Sequence, residues 1–223
     1  MKGYFVTGTD TEVGKTFVSE SMLHQLAYRR FKTIGFKPVA SGCAMSSHEL
    51  QNADALALQA ASTLHLSYQQ VNPYAFEPAI APHIAAEQAG QKIELARLHQ
   101  HYTELKSHDP DFILTEGAGG WRLPLGEGTY LSDFARQEEM EVILVVGIRL
   151  GCLNHALLTA EAIEKDGLRL AGWVANQVEL DMANIEDNLE SLKQGLTAPF
   201  LGYIPRLNDP EHAQQYLDLT PLL

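Results

Sequence analysis

Short apolar runs alternate along this chain with longer segments of helical period. Residues 4–7, 33–36, 112–115, 142–147, 171–175 and 200–204 are runs of four to six residues rich in β-branched and aromatic side chains. Unbroken runs of that length predict strands buried on both faces. Between several of them, residues 16–30, 53–61, 94–106, 155–165 and 183–193 repeat apolar positions at helical spacing. Strand alternating with helix predicts an α/β fold, with a mostly parallel sheet and helices on both faces. No internal repeat, low-complexity tract or Ser/Gly linker interrupts residues 1–223, so a single domain is expected. Two stretches read as long loops. Residues 37–50 carry Pro38, Gly42 and several serines, and residues 117–129 carry five of the chain's glycines and Pro124. Both follow predicted strands, and ligands of parallel sheets bind at the strands' carboxyl ends.

Composition narrows the partners. The 223 residues are 45% apolar and 20% charged, with a formal net charge of −12. A chain this acidic, with no concentrated basic patch, repels a phosphate backbone or an anionic lipid surface. The longest apolar run, 142–148, contains Gly147 and falls far short of the roughly 20 residues of a membrane span. The N-terminus reaches Asp10 and Glu12 without an apolar leader segment. Cys43 and Cys152 fit no zinc or CxxC spacing and read as free thiols in a reducing compartment. The expectation is a soluble, cytoplasmic protein with no nucleic-acid or membrane partner.

The strongest chemical signal lies at the start. The strand Tyr4-Phe5-Val6-Thr7 leads into Gly8-Thr9-Asp10-Thr11-Glu12-Val13-Gly14-Lys15-Thr16, and the last three residues open a helix. A glycine-rich turn at a helix N-terminus presents backbone N–H groups to phosphates. Lys15 adds a point charge there, and the Thr16 hydroxyl is a Mg²⁺ ligand type. The usual spacing places the first glycine at position 9, where this chain has Thr9, with Gly8 one residue early. The plainer alternative is a strand–turn–helix with a solvated lysine.

A phosphate loop needs a metal-holding carboxylate, and the strand 112–115 delivers Glu116 followed by Gly117-Ala118-Gly119-Gly120. A strand-end carboxylate capping a turn is the competing explanation. The strand 33–36 likewise delivers Lys37-Pro38-Val39-Ala40-Ser41-Gly42. Alone, a strand-end lysine is more often a solvated charge. Beside a phosphate loop, a second ammonium stabilises charge on a phosphoryl group in transfer. These residues point to a Mg-ATP-dependent enzyme or switch and name no substrate.

The blocks 8–16, 37–42 and 116–120, with Gly151-Cys152-Leu153-Asn154-His155, Ala81-Pro82-His83, Gly172-Trp173-Val174-Ala175-Asn176 and Ile204-Pro205, together resemble the dethiobiotin synthetase family. The likeness spans nearly the whole chain in order, and the displaced first glycine is that family's own pattern. The resemblance implies a P-loop NTPase-like fold. It also implies a ligase that closes a cyclic urea on 7,8-diaminononanoate with CO₂ and ATP, through a carbamate and a carbamic–phosphoric anhydride. Carried over, Lys15 and Lys37 are the catalytic cations, and Thr16, Asp54 and Glu116 hold Mg²⁺. Glu12, Val13, Gly14, Lys15, Thr16, Phe17, Gly117, Ala118 and Gly119 contact the nucleotide, with Asn176, Gln177, Pro205, Arg206, Leu207 and Glu211 on the adenine side. Ser41 and the backbone at Thr11 and Glu12 touch the diamine or carbamate. Gly151, Cys152, Leu153 and Asn154 anchor the diamine's carboxylate from a neighbouring subunit, which implies a homodimer. Read without the resemblance, Asp54 is a helix cap more readily than a ligand. Asn176 either bonds a base edge or caps the next segment, and residues 149–155 open a helix whose free N–H groups either receive a carboxylate or form an ordinary helix start.

Other residues carry no chemistry on this reading. His99 and His101 lie two apart on a helical pattern and face different sides. Trp121 and Trp173 read as packing residues. Ser41 lacks the elbow of a hydrolytic nucleophile. Glu138, Glu139 and Glu141 read as a solvated helix end. An ATP-driven partitioning protein is the main rival. Such proteins carry an extra lysine five residues before the loop lysine, where this chain has Asp10.

Overall fold

The computed structural model describes residues 1–46 and 48–223; Ser47, inside the predicted 37–50 loop, lies outside the described residues. Six strands build the central sheet: β1 (Lys2–Gly8), β2 (Thr33–Phe36), β3 (Phe112–Gly120), β4 (Glu141–Ile148), β5 (Leu170–Gln177) and β6 (Phe200–Ile204). All pair in parallel, in the order β6-β5-β4-β1-β3-β2. Strand alternation divides the apolar residues between two cores. Along β4, Val142, Leu144, Val146 and Ile148 join one core, while Ile143 and Val145 join the other. Helix α1 (Lys15–Tyr28) covers the second face with Val18, Met22, Leu23 and Leu26. Helices α3 (Leu95–Lys106), α4 (Leu131–Gln137), α5 (Cys152–Lys165) and α6 (Ile185–Gly195) bury residues in the first. Trp173 is fully buried, with its ring centroid 4.5 Å from that of Phe200, and Trp121 meets Phe5 edge-on at 5.7 Å. Both tryptophans therefore pack, as the charge balance suggested, each burial contributing about 3 kcal/mol.

The predicted strands all occur. Helix α2 (Ala53–Ala61) has the predicted bounds, and α5 starts at Cys152, three residues before the predicted 155. Its N-cap is Gly151 in the left-handed region (φ 93°), a conformation that glycine adopts without strain. The two predicted loops are more ordered than expected. Strand β3 runs on to Gly120, since its glycines let the ladder to β1 continue as far as Gly8–Gly120. Beyond it, Pro124–Gly126 pairs with Thr129–Tyr130. In the other, Val39–Ser41 lies parallel to Tyr74–Phe76, and Ala44–Ser46 pairs back with Glu49–Gln51. Helices α4 and Pro82–Gln88 were not expected; at seven residues each they are too short to show a clear period.

The acidic group after α4 is not a solvated end. The Glu138 carboxylate is only 2% exposed and accepts from Lys106 Nζ at 2.6 Å and from His99 Nδ1. Glu141 pairs with Arg169 at 2.5 Å, which leaves Glu139 exposed. Cys43 and Cys152 are both buried free thiols.

Candidate active site

The carboxyl ends of β1, β2, β3 and β5 converge on the loop between β1 and α1. Gly14 caps α1 in the left-handed region (φ 84°), where a side chain would be strained, and a Cβ there would also collide with the Asn176 amide. That amide sits at the end of β5 and donates to the Val13 carbonyl at 2.9 Å, holding the loop from the far side. Asn176 is thus a clamp on the phosphate loop, its nitrogen engaged and its oxygen left for another donor. Asp10 closes the near side. Its carboxylate accepts from the Thr11 N–H at 2.8 Å and pairs with Arg149 at 2.5 Å.

Both lysines are buried. Lys15, 7% exposed, donates to the Asp10 carbonyl at 3.2 Å. Lys37, 3% exposed, donates to Glu116 Oε1 at 2.6 Å and to the Gly117 carbonyl at 3.1 Å, with Asp54 Oδ2 at 3.4 Å. The Thr16 hydroxyl donates to the same Glu116 oxygen at 2.8 Å. Glu116 is fully buried, and its Oε2 has no partner. The two ammonium groups differ electrically. Burial, then the neighbouring Lys37 charge, pulls Lys15 down to about 8. Burial also works against a charged Lys37, but Glu116 and Asp54 outweigh it and hold that ammonium above its ordinary range.

Asp54 is not the cap of α2. Asn52 takes that position, its side chain accepting from the N–H groups of Asp54 and Ala55, which frees the Asp54 carboxylate for Lys37. Asn52 begins a buried relay that spacing alone did not reveal. Its N–H donates to the Tyr68 hydroxyl at 2.7 Å, which donates to Asn72 Oδ1 at 2.7 Å; Asn72 Nδ2 then donates to the Lys37 carbonyl at 2.6 Å. Only the Asn52 cap is visible in sequence, as an asparagine just before a helical run.

Glu20, one turn along α1 from Thr16, was also missed. Burial, then the Glu116 and Asp54 charges, raises its carboxyl from the ordinary 4.5 to about 7. The sign follows directly. Between those values the folded chain holds a proton that the unfolded chain has lost, so Glu20 erodes stability as pH rises through that window. Glu20→Gln should therefore melt above the native chain at pH 8, with the gap gone by about pH 4. Equal gaps at both pH values in thermal unfolding would rule this out.

A cavity of about 850 Å³ opens over these groups. Thr11, Glu12, Gly14, Lys15, Thr16, Phe17, Lys37, Ser41, Asp54, Glu116, Ala118 and Gly119 line it, with Ala79, Ile80, Pro82 and Leu123 as an apolar side. A second cavity of about 310 Å³ shares Glu12, Gly14 and Phe17 and continues to Asn176, Gln177, Arg206 and Leu207. The remaining expected residues lie elsewhere. Val13 is buried, and Gly117 contributes its carbonyl to Lys37. Pro205 and Glu211 line neither cavity; Glu211 is exposed on the short helix Pro210–Ala213, which Asp209 caps. Gly151, Leu153 and Asn154 also lie off both walls, and the Cys152 side chain points into the core.

A family model described as an AAA domain matches residues 2–214. The ATP-dependent dethiobiotin synthetase BioD of Pseudomonas paraeruginosa is 53% identical over all of this chain and 98% of its own length. The chain belongs to the ATP-dependent dethiobiotin synthetase family. Members from Cellvibrio japonicus and Aeromonas hydrophila are 51% and 48% identical, each aligned over the whole of this chain. Among solved structures, the Aquifex aeolicus MinD cell division protein superposes with a TM-score of 0.55 at 18% identity, covering 93% of this chain and 83% of that one. A chain of the Aquifex aeolicus MinC:MinD cell division protein complex gives 0.57 at 16% identity, over 96% of this chain and 86% of that one. Those likenesses establish the P-loop NTPase-like fold and nothing further. The position that would carry a partitioning protein's additional lysine is Asp10, and its carboxylate is paired with Arg149. Among the described residues, no helix is long and apolar enough to cross a membrane.

Proposed function

We propose that this chain closes a cyclic urea on 7,8-diaminononanoate, using CO₂ and ATP and releasing ADP and phosphate, in the cytoplasm. The observation that carries this reading is the convergence of Lys15, Lys37, Thr16 and Glu116 at one end of a cavity whose other side is apolar. An amine adds CO₂ and loses a proton to give a carbamate. A carbamate oxygen attacks the γ-phosphorus of ATP, and ADP departs with the electron pair of the broken P–O bond. The second amine then attacks the anhydride carbon, the C–O bond to phosphate breaks with its electron pair on the phosphate, and the nitrogen gives up a proton as the ring closes.

Carbamate and nucleotide are both anions, so two cations already in position offset their repulsion. Lys15 faces the nucleotide tail from the loop. Lys37, held from two sides by carboxylates, sits where the carbamate oxygen and the phosphoryl group would meet. Mg²⁺ suits the oxygen donors Thr16, Glu116 and Asp54, and the orphaned Glu116 Oε2 is the donor that most needs a partner. Bound there, the ion would neutralise charge on the phosphate oxygens. Ala79, Ile80, Pro82 and Leu123 fit the diamine's methylene chain, with Ser41 and Thr11 nearer the reacting end. The nucleotide base would extend into the smaller cavity.

The turn 151–154 would serve a second copy of the chain. It opens α5, whose N-terminus favours a carboxylate, and Leu150 and Leu158 beside it are 93% and 56% exposed. A homodimer would cover them. Incubating the chain with Mg-ATP, bicarbonate and the diamine should yield the cyclic urea by mass spectrometry, with one phosphate released per urea. ATP turnover indifferent to the diamine would overturn the proposal.

A further inference from the structure

We infer that the Gln177 side chain is a strut that positions the wall of the base cavity and does not itself read the base. The inference rests on the nucleotide-binding role proposed above. Gln177 ends β5 and lines the smaller cavity, a place where an amide commonly bonds a base edge. All of its hydrogen-bonding capacity is engaged elsewhere. Oε1 accepts from the Tyr203 hydroxyl at 2.8 Å and from the Arg206 N–H at 3.2 Å. Nε2 donates to the carbonyls of Glu179 at 3.0 Å and Leu180 at 3.4 Å. A primary amide offers two lone pairs and two N–H groups, so a base could bond it only by displacing one of these four partners.

The β5–β6 ladder ends at Asn176–Ile204, and the four bonds tie the two loops beyond it to the strand ends. Tyr203 is on β6, Arg206 is in the loop after it, and residues 179 and 180 are in the loop after β5. Arg206 adds a parallel tie, its guanidinium donating to the Val178 carbonyl at 2.9 Å. The pocket therefore closes around the base through two loops laced to one amide. Asn176, whose oxygen is unengaged, lines the same cavity beside Glu12, Arg206 and Asn208 and is open to direct contact with the base.

The two roles separate experimentally. A base reader contributes to the difference between ATP and ITP, which lacks the exocyclic amine, whereas a strut contributes equally to both. Gln177→Ala should raise KM for ATP and for ITP by the same factor, about five- to ten-fold, with a smaller change in kcat. In the nucleotide-free protein, amide hydrogen exchange should quicken across residues 177–180 and 204–208. Tyr203→Phe removes one of the four bonds and should move both readouts in the same direction by less; it serves if the alanine variant does not fold. A loss of ATP-over-ITP preference in Gln177→Ala, or unchanged exchange in both loops, would overturn the inference. Failure of the unsubstituted chain to turn over ATP would refute the functional proposal instead, and the exchange comparison would still decide the strut.

Discussion

Replacing Lys37 with alanine is expected to lower kcat about a thousand-fold while changing ATP affinity by less than about ten-fold. The asymmetry follows from where the ammonium is held. In the resting protein Lys37 bonds Glu116 and the Gly117 carbonyl, with Asp54 close by, so much of its charge is already balanced. Ground-state ATP gains little from a cation so well neutralised. In the proposed reaction the transferring phosphoryl group and the attacking carbamate oxygen would carry charge into that neighbourhood only near the transition state, and donors aimed at developing charge are worth most there. Alanine also strands Glu116, whose carboxylate is fully buried, so a drop in stability is expected alongside the kinetic effect. Lys37→Gln separates the two. It keeps a donor for Glu116 and lacks the charge, so its kcat should fall nearly as far while its melting temperature falls less. Single-turnover phosphate release and nucleotide titration on both variants provide the comparison. An unchanged kcat with a raised dissociation constant would show Lys37 to be a nucleotide-binding residue only.

The sequence revealed most where one residue type has one physical use. The run at 142–147 was readable as a buried strand because it is short, continuously apolar and rich in β-branched residues, and the loop ending in Gly14-Lys15-Thr16 because the turn and the charge require those types. Asp54 shows the limit. Local spacing favoured a cap, but Asn52 occupies the cap, and only the fold brings the Asp54 carboxylate to Lys37 across the β2–α2 connection. The Tyr68–Asn72 relay beneath Lys37 was invisible for the same reason, since its partners lie 16 and 35 residues apart. Glu138 misled in the opposite sense. Three glutamates in four residues look solvated, yet α3 supplies Lys106 and His99 to one of them. Gln177 entered only through the family resemblance, and its four hydrogen bonds join residues that the sequence does not mark as neighbours.

Lys15 yields the second large effect, a dependence of nucleotide affinity on pH that one substitution should abolish. Burial and the neighbouring Lys37 leave Lys15 titrating at about 8, so its charge is complete at pH 7 and mostly gone at pH 9. A bound polyphosphate favours the charged form and raises that value, so binding above pH 8 takes up a proton. ATP affinity in metal-free solution should therefore fall about ten-fold between pH 7 and pH 9. Lys15→Met should lose about a hundred-fold in affinity at pH 7 and show no slope across the same interval. The same shift makes a stability prediction of opposite sign. Between about 8 and the ordinary 10.5 the unfolded chain holds a proton that the folded chain has released, so native stability rises with pH there, and below pH 8 the full penalty of burying the ammonium applies. Lys15→Met should thus be more stable than the native chain at pH 7, by up to about 3 kcal/mol, and lose that advantage above pH 10. Binding titrations at pH 7, 8 and 9, in buffers of differing ionisation enthalpy, measure the affinity and the proton uptake together. A flat native profile, or a slope that persists in the methionine variant, would place the titrating group elsewhere. With the nucleotide-binding role proposed for Lys15, that loss of stability would be a trade of fold against function at a single buried charge.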